Sequence, residues 1–131
     1  MRLLLDTHVA LWSATQQSRI PFQVREMIAD PANDVCVSVV SLWEIAIKSV
    51  LNRKGIGEMP VSAARADVLF HELDYRLLSI DAAHALAVEI LPPIHGDPFD
   101  RLLVAQALTE PLRLITHDAA LAAYSDTVIL I

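Results

Sequence analysis

Residues 2–12 read RLLLDTHVALW. Three consecutive leucines end on the charge of Asp6, and an apolar pattern at helical spacing follows at once. A short continuous apolar run suits a strand buried on both faces, so the stretch predicts a strand that stops at Asp6 and turns directly into a helix. The same grammar recurs in VCVSV (35–39), RLLSI (76–80), LRLIT (112–116) and TVILI (127–131), with helical patterns over 8–17, 21–30, 41–54, 62–74, 81–91, 98–109 and 118–124. The alternation predicts an α/β sandwich around a mostly parallel five-stranded sheet with right-handed crossovers. Pro21, Pro31, Pro60, Pro92, Pro93, Pro98 and Pro111 all fall at or near these boundaries, and Gly55 and Gly57 end the helix that begins at Ser41. No repeat, linker or low-complexity stretch interrupts the pattern, so residues 1–131 are expected to form one domain.

Composition narrows the function. At 54% hydrophobic residues the chain is expected to build a sizeable core, and its formal charge of −6 argues against broad electrostatic attachment to nucleic acid. A nuclease stays possible, because bound divalent cations change the local sign. Cys36, the single cysteine, permits no intrachain disulfide and reads as a small core residue. With no signal peptide and no long apolar run, the expected setting is soluble and cytoplasmic. The three glycines form neither a G-x-G-x-x-G fingerprint nor a Walker loop, and no H-E-x-x-H, C-x-x-C or G-x-S-x-G pattern occurs.

In parallel α/β sheets, ligands bind beyond the carboxyl ends of the strands. That rule selects Asp6 after the first strand, Glu44 after the second, Asp97 and Asp100 in HGDPFD (95–100), and Asp118 after the fourth strand. Each also has a capping reading. Asp6 caps the helix near His8, and Glu44 completes a capping box with Ser41 and pairs with Lys48. Asp97 caps, with Pro98 at the first helical position and Arg101 as its i,i+4 partner, and Asp118 caps AALAAY. Capping returns about 1 kcal/mol, whereas two carboxylates ~4 Å apart repel by about 4 kcal/mol at an effective dielectric near 20. A convergent set therefore needs protonation, separation or a cation. Mg2+ or Mn2+ accepts such oxygens and bridges to phosphate, which makes metal-dependent phosphodiester hydrolysis the leading chemistry.

Asp81 follows a strand too, but reads as a helix cap. Thr7 and Thr116 either orient a water or carboxylate or close local structure. His8, His95 and His117 sit near the same sheet end in hydrogen-bonding or solvated roles, while His71 and His84 read as surface or packing residues. Trp12 and Trp43 fall on apolar helical faces, where packing is expected before base stacking. Lys48, Arg53, Lys54 and Arg101 are the candidate RNA-facing cations, with helix-end solvation as the competing role for Arg53 and Lys54.

Taken together, LLLDTHVALW, VSLWEIAIK, DPFDRLLVAQA and LITHDAAL resemble, in order and over nearly the whole chain, a PIN domain of the VapC toxin type. The resemblance implies a compact three-layer α/β/α sandwich with strand order 3-2-1-4-5 and an acidic quartet holding Mg2+ or Mn2+. By motif, Asp6, Glu44, Asp100 and Asp118 match the acids, Thr116 matches the hydroxyl before the last of them, and Asp97 belongs to the DPFDR variant as ligand, outer partner or cap. It also implies RNA cleavage, homodimerisation and a cognate antitoxin covering the site. The helices in SLWEIAIKSVL and SAARADVLFHEL either offer an apolar groove to such a partner or complete the domain's own core.

Two other readings compete. A phosphatase with an aspartyl nucleophile resembles an apolar strand ending in D-x-D, but Thr7 and His8 follow Asp6 and the second acid is absent. A non-catalytic regulatory binding module would use the acids only as caps and as partners for arginines.

Overall fold

A computed structural model describes residues 1–53 and 59–131, and side chains for all of these except Asn52 and Arg53. The expected helix end at Gly55 and Gly57, the Arg53 side chain and Lys54 lie outside the described residues.

Five strands, β1 (Arg2–Leu5), β2 (Asp34–Ser38), β3 (Arg76–Leu78), β4 (Arg113–Thr116) and β5 (Ile129–Leu130), form one sheet in the order β3-β2-β1-β4-β5. Every pairing is parallel, with Leu4 opposite Cys36 on one side and Leu114 on the other. Among the described residues, seven α-helices connect and cover the sheet: α1 (Thr7–Thr15), α2 (Phe22–Ala29), α3 (Val39–Arg53), α4 (Ala63–Glu72), α5 (Ala82–Glu89), α6 (Pro98–Thr109) and α7 (Ala119–Ala122). A short 3-10 turn, Gln17–Arg19, follows α1.

Successive residues of a strand point to opposite faces, and the two cores sort by that parity. Leu3, Leu5, Val35, Val37 and Ile115 pack on one face with Val9, Leu11, Val24, Ala66 and Phe70 from α1, α2 and α4. Leu4, Cys36 and Leu114 pack on the other with Leu103, Val104, Ala107 and Leu121 from α6 and α7. This is the predicted three-layer arrangement, and it explains why the strands are runs of apolar residues rather than alternating ones: both faces are covered.

Two local expectations change. The helix expected from Ser41 starts at Val39, because the Ser38 hydroxyl takes the Val40 N–H at 3.0 Å and caps the turn one register earlier. Ser41 is consequently inside α3 and fully buried, so it forms no capping box with Glu44. The last strand shortens to two residues at the sheet edge, where only β4 is available to pair. Asp81 caps α5 as expected, taking the His84 N–H at 3.2 Å. His84 itself is buried: its Nδ1 lies 3.1 Å from the Asp81 N–H donor and 3.3 Å from Gln106 Nε2, which leaves Nε2 to donate to Glu110 at 2.5 Å. That grouping is a filled hydrogen-bond chain behind the sheet. No helix among the described residues is long and apolar enough to cross a membrane.

Candidate active site

β1, β2 and β4 are adjacent and parallel, so their carboxyl ends open on one place. Asp6 directly follows β1 and accepts the Val9 N–H at 2.9 Å as the α1 cap. Glu44 lies on α3 after β2, 37 residues from its hydrogen-bond donor Thr7, whose hydroxyl meets Oε1 at 2.6 Å. Asp97 caps α6 by taking the Phe99 and Asp100 N–H groups at 2.8 and 3.1 Å, and Asp118 caps α7 through Ala120 N–H at 2.9 Å. Asp6, Glu44, Asp97, Asp100 and Asp118 nevertheless line one cavity of about 170 Å³, together with Thr7, His8, Lys48 and His117. Capping and convergence are the same geometry: the backbone N–H groups orient one carboxylate oxygen, and the helix start aims the group at the cavity.

The electrostatics are those of a cluster that lacks charge balance. Burial, then the neighbouring charges of Asp97, Glu44 and Asp6, push the Asp100 carboxyl up to about 7. Burial acts upward on Asp118 also, but the Ala120 N–H and the His95 side chain outweigh it and hold its carboxyl below the usual range. The Asp6 carboxylate, its Oδ2 3.8 Å from Nδ1, raises the His117 imidazole, whereas burial lowers His8. Glu44 is only 3% exposed and forms an ion pair with Lys48 one helical turn on. Lys48, expected as an RNA contact, thus also answers a buried carboxylate.

His95 is the residue that sequence reading undervalued. Its Nδ1 accepts the Asp97 N–H at 3.0 Å, so the ring proton sits on Nε2, which donates to Asp118 Oδ2 at 2.9 Å and lies 3.5 Å from Asp100 Oδ2. His95, Asp100 and Asp118 offer ligand atoms within 4.8 Å of one another, and with Asp6 and Glu44 on the same cavity wall the donors are mostly hard carboxylate oxygens. That set fits a hard divalent cation, whose charge would offset both the burial and the like-charge repulsion that raise the Asp100 carboxyl. A histidine two residues before the capping Asp97 was the local signal available; its link to Asp118, 23 residues on, was not.

Thr116 takes up the carboxylate-orienting place open to it, and the pairing expected of Arg101 is corrected. Thr116 is fully buried behind Asp6: its hydroxyl donates to Asp6 Oδ2 and accepts the Asp118 N–H at 3.1 Å, so it fixes two acids without lining the cavity. Arg101 neither pairs with Asp97 nor faces the cavity. Its guanidinium donates to the carbonyls of Val88 (3.0 Å), Pro92 (3.1 Å), His95 (3.4 Å) and Leu91 (3.5 Å) and to the Tyr124 hydroxyl (3.2 Å). A planar fork reaches several carbonyls at once, and the last turn of α5 with the segment after it supplies them; Val88 and Pro92 share theirs with the backbone N–H groups of Leu91 and Ile94.

Two expected outcomes follow from this geometry. Asp97→Asn should keep the α6 cap and the melting temperature, while Asp97→Ala should cost about 1 kcal/mol by thermal unfolding, because asparagine caps as well as aspartate and alanine does not. For pH, a carboxyl that binds its proton more tightly folded than unfolded makes the folded state the better proton binder between about 4 and 7. Stability of the chelator-treated protein should therefore fall as pH rises through that window, and Asp100→Asn should flatten the slope. Mn2+ affinity, read by calorimetry, should rise over the same window as the competing proton leaves.

Fold and site together define a class: a doubly wound α/β domain with a cluster of acids, suited to a divalent cation, at the carboxyl edge of its sheet. Comparison gives the family. Residues 3–126 match the PIN domain model, and the chain is 30% identical over 122 residues to Ribonuclease VapC22 of Mycobacterium tuberculosis, covering 93% of this chain and 91% of that protein. The chain belongs to the PIN domain family. Its fold is also that of VapBC2 from Rickettsia felis, solved bound to a promoter DNA fragment (TM-score 0.68, 14% identity, 100% of this chain and 98% of that one). FitAcB from Neisseria gonorrhoeae has it as well (TM-score 0.63, 17% identity, 98% and 96%).

Proposed function

We propose that this protein is a metal-dependent endoribonuclease, the toxin of a toxin–antitoxin pair, with Asp6, Glu44, Asp100 and Asp118 as the ligands of Mg2+ or Mn2+. The observation that carries the reading is the single cavity that gathers these acids at the carboxyl ends of β1, β2 and β4. The VapC22 ribonuclease similarity supports RNA as the substrate. When bound, the ion would neutralise the phosphodiester and lower the pKa of a coordinated water. The chain's own part is positional: Thr116 holds Asp6, Thr7 holds Glu44, His95 holds Asp118, and Asp97 sets the first turn that carries Asp100. Asp97 acts as cap and cavity wall. Hydrolysis breaks one P–O bond, with water supplying the hydroxyl to phosphorus and a proton to the leaving oxygen.

Partner binding is supported by what the helices leave uncovered. Trp43, Ile47, Val50 and Leu51 line one face of α3 at helical spacing, with Trp43 53% exposed, and α5 with its C-cap presents Leu86 and Ile90. These faces do not complete the core of one chain. They suit the apolar side of an antitoxin helix and a second copy of the toxin, the occupants suggested by the toxin–antitoxin complexes of similar fold. Cys36, the single cysteine, is free and buried and offers no disulfide, in keeping with the reducing cytoplasmic setting proposed for the protein. The test is cleavage of total and in vitro transcribed RNA by purified protein in Mg2+ or Mn2+, with chelator and with the neighbouring gene's product. Cleavage that persists in chelator would sink the metal mechanism, and no cleavage under any condition would favour the regulatory module.

A further inference from the structure

Beside the acid cavity lies a second cleft, of about 430 Å³, lined by His8, Leu11, Trp12, Gln16, Arg19, Met59 and Pro60. The two share His8. An unbroken run of rings leads from one to the other: His8 and His117 have centroids 5.3 Å apart, His117 and Trp12 5.0 Å, His8 and Trp12 6.1 Å. At its far end the exposed Arg19 guanidinium lies 5.3 Å from the Trp12 ring centroid. Arg19 has no ion pair with any carboxylate among the described residues, unlike Lys48, Arg2 and Arg76, each of which meets one.

We propose that this cleft is a nucleotide subsite: an unpaired base next to the scissile phosphate lies against the Trp12 indole, and the phosphate of that nucleotide is held by Arg19. The inference rests on the ribonuclease reading and extends it. A chain of charge −6 whose cavity is walled by acids repels an RNA backbone, so the strand must be gripped where the acids are not. Single-stranded nucleic acid is gripped by aromatic faces and arginine planes together, and His8, Trp12 and Arg19 supply both within reach of the cavity. Packing was the role expected for Trp12; it does pack on the core, but the part of the ring that lines the cleft serves a second purpose. Arg19 is held to the fold by its contact with the Trp12 ring: its side chain is exposed and makes no hydrogen bond among the described residues, so it can turn to a phosphate.

The experiment separates binding from cleavage. Anisotropy of a labelled single-stranded oligoribonucleotide is titrated in chelator at several salt concentrations. Arg19→Ala should weaken binding several-fold and lower the slope of log affinity against log salt by about 1, as expected for one lost phosphate contact. Trp12→Leu, which keeps an apolar side chain on the core, should weaken it roughly five- to a hundredfold, the range for one lost stacking platform. Trp43→Phe leaves Trp12 as the single tryptophan, and its emission should be quenched by the oligonucleotide. If the wild type binds and cleaves RNA while Arg19→Ala keeps its affinity and salt slope and Trp12 emission is unmoved, the subsite is overturned and the ribonuclease reading stands. If the wild type neither binds nor cleaves RNA, both fall.

Discussion

Asp6→Asn should reduce metal-dependent RNA cleavage by more than about a hundredfold, since even the outer partners of a metal ligand are worth 10–100-fold. The change is close to isosteric, and asparagine caps a helix as well as aspartate, so the Val9 N–H remains satisfied and α1 still begins at Thr7. What disappears is one negative charge in a cavity that holds four other acids, and with it the carboxylate acceptor of the Thr116 hydroxyl. The metal-free variant should therefore melt close to the parent's temperature, because relief of like-charge repulsion offsets the altered hydrogen bond to Thr116. Calorimetry should show Mn2+ binding weakened in step with activity. Undiminished cleavage would remove Asp6 from the proposed ligand set; a lower melting temperature would mean that Asp6 matters to the fold beyond its cap.

The second large effect concerns stability. Arg101→Ala should destabilise the protein by about 2–4 kcal/mol, a range set by losing several charge-assisted hydrogen bonds whose acceptors are partly buried. At this chain length that corresponds to a melting temperature lower by roughly 10 °C. The carbonyls of Val88, Leu91, Pro92 and His95 would all lose the same donor, and the loop between α5 and α6 that positions the His95 ring would loosen. Arg101→Lys should recover only part of the loss, because an ammonium lacks the planar fork. The RNA-contact role first expected for Arg101 predicts the opposite pattern: weaker RNA binding with an unchanged melting curve. Differential scanning fluorimetry and RNA titration of the same two variants decide between them.

Much of the fold was legible because its causes are local. RLLL, the run around Cys36 and the run before Thr116 are apolar on both parities, so each names a strand covered on both faces. Asp6, Asp81, Asp97 and Asp118 are followed at once by helical patterns, and each caps the helix it precedes. Where the local signals competed, position was misjudged by a residue or two: Ser38 and Ser41 are both hydroxyls before the same apolar helix, and the hydrogen bond from Val40 chose the first.

The sequence by itself determined the elements, the acids that follow the strands and the capping duties they carry, because each depends on residues within one turn of the chain. Only the tertiary structure decided which of two possible partners each side chain takes. Arg101 had Asp97 one turn away and chose the carbonyls of another helix's end, and Thr116 turned to Asp6, 110 residues distant. His95 came to bridge Asp100 and Asp118. Parallel pairing of β1 with β2 and β4 brings those strand ends together, and a side chain's hydrogen bonds are settled by what lies within about 3 Å in space, a distance that sequence spacing does not encode.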